Sequence, residues 1–147
     1  MLLHDAALSY LHFVFALILA GTLIAEAFVL RLPVDGRVAR LLLRIDLFYG
    51  LSAVGVILAG IARVLWGAKG AAYYMGQPFF WAKMATILVI GLISIAPTRA
   101  FTRWVRSGAA EIAAADANKV RRLVMIELDL LALVPLFAAL MARAIAS

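Results

Sequence analysis

The chain has 147 residues, 67% of them apolar, with a mean hydropathy of +1.06 and a formal charge of +6. Soluble domains are about half apolar, so a soluble enzyme or nucleic-acid-binding domain is excluded and an integral membrane protein is expected, with the lipid bilayer as its partner and no nucleic acid. Cysteine is absent, which removes disulfides, thiolate metal sites and thiol nucleophiles.

The first apolar run, residues 6–30, carries only two strongly polar side chains, His12 and Glu26. As a helix it is about 37 Å long, enough to cross a hydrocarbon core of about 30 Å with some tilt. Positions seven apart drift by only about 20°, so Asp5, His12, Leu19 and Glu26 form one stripe, expected to face protein. Ala25-Glu26-Ala27 fits a signal-peptidase site. The flank lacks a basic region and the run is long for a signal sequence, so it is expected to stay as a span. Pro33 and Asp35-Gly36 then make a turn, and a second span is predicted over 41–66. Its Asp46, Gly50, Ala53 and Gly60 give a small-residue stripe suited to close helix packing or to a flat ligand. A glycine-rich connection, 67–78, carries Lys69 and an interfacial pair, Tyr73 and Tyr74. A third span is predicted over 79–97, opening after Pro78 and ending at Pro97 or continuing kinked toward Trp104, with Lys83, Thr86, Ile90, Ser94 and Pro97 on one face. The alanine-rich segment 109–117 is predicted to be helical outside the membrane. The last span, 120–145, holds Glu127, Asp129, Pro135 and Arg143.

Four basic residues lie in the first connection and six in the third, against three in the second and Arg143 alone after the last run. The positive-inside rule makes the first and third connections cytoplasmic. The expected fold is therefore all-α, a single-domain integral membrane four-helix bundle over 1–147 with both termini on the non-cytoplasmic side, in a bacterium the periplasmic face of the inner membrane.

With that topology the ionisable residues fall into two layers. The outer one holds His12, Arg63, Lys83 and Arg143, with only Asp5 acidic. Snorkelling to lipid phosphates is the plain account of the cations, and an interhelical hydrogen bond that of His12. The sharper account is a pocket for a flat dianion, a b-type haem with His12 as axial ligand and Arg63 and Lys83 near the propionates; a quinone, which needs no axial ligand, is the alternative, hydrogen-bonded to His12 and Lys83. His4 and His12 are about 12 Å apart on one helix, so they cannot grip both faces of one macrocycle. A haem would be five-coordinate, take a sixth ligand such as Met84, or be completed by a second copy of the chain. The inner layer sets Glu26, Asp46, Glu127 and Asp129 against Arg44, Arg99 and Arg122. Ion pairing inside the bundle is the expectation there, with a proton route beginning at Glu26 as the alternative.

Four segments carry a resemblance: Leu11-His12-Phe13 through Glu26 to Arg31; the loop from Gly67 through Tyr73-Tyr74 to Trp81 and Lys83; Ser94-Ile95-Ala96-Pro97-Thr98-Arg99; and the ending from Pro135 to Arg143. Together they resemble, over nearly the whole chain, the bacterial inner-membrane proteins catalogued as domain of unknown function 2214. More distantly, a first-helix histidine followed by a glutamate and an arginine, with a lysine opening the third span, is similar to HemJ-type protoporphyrinogen oxidases, four-helix proteins associated with haem b. That likeness implies haem-side roles for His12 and Lys83. The chain departs from it by inserting the tyrosine loop. Two functions follow as expectations: a haem-binding redox protein or porphyrin oxidase, working with a membrane redox partner or as a homodimer, or a non-enzymatic membrane component that handles protons or small solutes or serves as a complex subunit.

Overall fold

The computed structural model describes residues 2–66, 71–108 and 110–144. It contains helices α1 (Leu2–Val29), α2 (Gly36–Trp66), α3 (Ala71–Met75), α4 (Pro78–Ser107) and α5 (Ala114–Ala144). All but the short α3 are long and apolar enough to cross a membrane. Helices are what such sequences must form, because hydrocarbon offers backbone amides no partner outside the segment itself. The long helices close in a ring: α1 packs on α2 and α4 on α5 as two intimate hairpins, and thinner α2–α4 and α1–α5 contacts join the hairpins.

The hairpins are tied at one end. Asp35 caps α2, its Oδ1 accepting from Val38 N at 2.8 Å, the bond an aspartate makes to the third residue of a helix. The same turn meets the α4–α5 connection, where Ile112 N donates to the Val34 carbonyl at 2.8 Å and Asp35 pairs with Glu111 in an isolated antiparallel bridge. Above this tie lies the contiguous core, with Leu23, Leu42, Phe101 and Val124 fully buried and Leu30, Val34 and Trp104 beside them. Toward the opposite end burial is scattered, at Ala59, Phe80 and Met141.

Of the two expectations for the third span the continuing one holds, the helix running through Pro97 to Ser107. Proline is tolerated inside a membrane helix where neighbouring helices and side chains compensate for the missing N–H. Segment 109–117 is helical only from Ala114, because residues 110–113 are drawn into the connection that bonds to Val34, and Ala109 lies outside the described residues. The connection 67–78 contains α3, while its first part, with Lys69, is outside the described residues, as is Ile145 at the end of the last span. Tyr74, Phe80 and Trp81 pack in tilted and edge-to-face contacts at this end, and Trp81 Nε1 donates to the Met75 carbonyl at 3.0 Å.

Candidate functional site

The stripe on α1 faces the bundle as its heptad spacing requires, with Leu19 and Glu26 buried and His12 half-buried. Glu26, at 1% exposure, lies within electrostatic range of two further buried carboxylates, Asp46 of α2 and Glu127 of α5. Each of these is held by a hydroxyl. Thr98 Oγ1 of α4 donates to Asp46 Oδ2 at 2.6 Å, and Tyr49 Oη of α2 donates to Glu127 Oε1 at 3.0 Å. Glu26 lies within hydrogen-bonding reach of Asp46, while its Oε1 is buried without a partner. All four long helices thus supply the site. The packed layer of Leu30, Leu42 and Phe101 separates it from the tied connections.

The ion pairs expected in this layer give way to hydroxyls, and helix geometry supplies the reason. Successive residues turn by about 100°, so Arg44, two positions before Asp46, points away from the bundle when Asp46 points in. Arg99 stands in the same relation to buried Pro97, and Arg122 to buried Val120 and Val124. All three arginines are exposed. Asp129, two positions from Glu127, is exposed as well. The sequence marked Glu26, Asp46 and Glu127 but missed Tyr49 and Thr98. Their signal was present: Tyr49 follows Asp46 by three positions, and Thr98 follows Ser94 by four.

The outer layer also comes together. His12, Arg63 and Lys83, from α1, α2 and α4, lie within electrostatic range of one another and are half-buried. The imidazole rests against α2 beside Val56 and Gly60, its Cε1 3.7 Å from where a Cβ on Gly60 would stand. Its Nδ1 is buried and unpartnered, while the ring lies within hydrogen-bonding reach of the Val56 backbone on α2, the interhelical bond expected of it. Gly60 therefore serves the close approach expected of the α2 stripe, whereas Gly50 faces open space. The layers are about 21 Å apart along α1, fourteen residues of helix. Arg143 is exposed. Among the described residues no three His, Cys, Asp or Glu side chains converge to hold a metal ion.

No match was found among curated proteins or solved structures. A protein-family model does match, and it spans residues 4–146, which takes in all four spans and both polar layers. On that coverage the chain belongs to the family described as "Predicted membrane protein (DUF2214)".

Proposed function

We propose that this membrane protein handles protons, and that Glu26, Asp46 and Glu127 are the groups that take them up and pass them on inside the bundle. The observation that carries the reading is a set of three buried carboxyl groups from three helices within electrostatic range of one another, two of them bonded to hydroxyls, with no arginine among their hydrogen-bond partners in the described residues. Ionised carboxylates only accept hydrogen bonds, so a bond between Glu26 and Asp46 needs a proton on one of them. A carboxylate out of water and without a cation costs several kcal/mol, which makes a shared, mobile proton the economical arrangement. Polar groups at membrane depth that are bonded to one another are the usual material of proton relays.

In liposomes under an imposed potassium potential, the reconstituted protein is expected to acidify a trapped pH-sensitive dye. Glu26→Gln keeps the shape but cannot ionise, so it should bring the rate down to that of protein-free liposomes, while Asp129→Asn, on the exposed face, should leave it unchanged. Wild-type liposomes as tight as empty ones would remove the proposal.

The orientation belongs to this reading: the first and third connections, joined at Val34 and Ile112, lie in the cytoplasm of a bacterial cell. Single cysteines replacing exposed Arg37 and Ala115 should be shielded from an impermeant thiol reagent in intact cells, and one replacing Ala72 should react. The reverse pattern inverts the topology.

A second reading is favoured by the gathering of His12, Arg63 and Lys83 around an unpartnered ring nitrogen: a b-type haem on His12, with the two cations near its propionates, or a quinone in the same place. A haem would supply one-electron chemistry, and its porphyrin-oxidase version rests on the HemJ-type likeness alone. Protein purified from haem-replete cells should then show a haem absorption band that His12→Ala abolishes and His4→Ala keeps. A colourless protein that takes up no haemin returns His12 to the role of an interhelical hydrogen-bonding residue.

A further inference from the structure

We propose that the cleft between α2 and α4, at the tied end of the bundle, binds one anionic phospholipid, with arginines of both helices on the phosphate and an acyl chain laid along α2. The α2 wall begins with Arg40 and Arg44, one turn apart, and continues along the same side as Leu47, Leu51 and Val54, bounding a cleft of about 740 Å³. A Cβ placed on Gly50, which also lines it, would meet nothing within 4 Å. The α4 wall carries Arg99, Arg103 and Arg106 at intervals of four and three, one helical stripe, around an adjoining cavity of about 540 Å³. Thr98 lines both, so the two spaces are neighbours across that residue.

Charge selects the occupant. Arg40 and Arg44 line the cleft and Arg99, Arg103 and Arg106 the neighbouring cavity beyond Thr98, while Asp46, the carboxylate that lines the cleft, is 6% exposed and occupied by Thr98. The arginine fork matches phosphate oxygens two at a time, and basic recesses between membrane helices hold anionic headgroups. The order of the lining is that of a phospholipid: cations near the helix end, then an apolar trough running into the membrane. A free phosphate would use the arginines and leave the trough without a purpose. The cleft also lies where the two hairpins meet only thinly, so a bound chain would fill the space the helices leave.

The test is the melting of the purified full-length protein in neutral detergent, titrated with phosphatidylglycerol, with phosphatidylcholine of the same chains, or with inorganic phosphate. Phosphatidylglycerol should raise the melting temperature saturably and phosphatidylcholine should not. Arg44→Gln with Arg103→Gln, both at exposed positions, should weaken the apparent affinity about thirtyfold, as expected for two lost arginine contacts. Gly50→Leu should weaken it by filling the trough with every arginine retained, which decides the matter if the arginine variant does not fold. Lys119→Gln with Arg121→Gln, outside the cleft, should have no effect. Equal responses to the two lipids, an undiminished response in the cleft variants, or a shift reproduced by inorganic phosphate would each overturn the proposal, the last by making the site one for a free anion.

Discussion

Phe101→Ala is expected to destabilise the bundle by on the order of 3 kcal/mol, measured as reversible unfolding in mixed micelles, whereas Leu92→Ala on the same helix should change stability by less than about 0.5 kcal/mol. Both residues are large and apolar, and both lie in α4. Phe101 is fully buried, its ring 5.7 Å from that of Trp104, while Leu92 is 60% exposed. In water each truncation would lose transfer free energy. In a membrane the lipid tails are as apolar as the side chain, so the hydrophobic effect does not hold one span against another. What Phe101 contributes is dispersion contact with neighbours on all sides, and truncating it leaves a cavity that they cannot close. Leu92 exchanges a lipid contact for a lipid contact. Comparable losses at the two positions would mean that the core at the tied end is not the packed part of the bundle.

Gly55→Leu should cost about 1–3 kcal/mol through overpacking. A Cβ on Gly55 would stand 2.6 Å from Cδ1 of the Phe15 ring, well inside van der Waals contact. The clash falls in the α1–α2 hairpin, so relief requires Phe15 to swing or the helices to part. Gly50→Leu on the same helix meets open space and, in detergent without added phospholipid, gives the background for helix propensity. The combination Phe15→Ala with Gly55→Leu should recover part of the loss, a coupling that a double-mutant cycle reads directly. Additive costs would remove Phe15 as the neighbour that forbids a side chain at Gly55.

The carboxylate site is bound up with the same packing. Asp46 and Tyr49 face inward only because α2 turns the face of Ala39, Leu42 and Ser52 to the bundle. That face also fixes Gly50 on the groove and Gly55 against Phe15. The placement of the buried carboxylate, the groove and the helix contacts on α2 thus follows from one rotation of one helix.

The sequence by itself determined the number and order of the spans, since an apolar run either covers a bilayer or does not, and it marked Glu26, Asp46, Glu127, His12, Arg63 and Lys83 as residues too polar for lipid. It also determined the heptad stripe of α1, because the angular relation of residues within one helix is a property of the chain. Only the tertiary structure decided which partner each polar residue meets. Depth read from sequence put Asp46 level with Arg44 and Arg99, and depth alone suggested ion pairs. The rotation of each helix about its axis sent the arginines outward and brought Thr98 and Tyr49 to the carboxylates. In a chain apolar on every side that rotation is nearly invisible: lipid and protein interior favour the same side chains, so no contrast between a wet and a dry face records which way a helix turns.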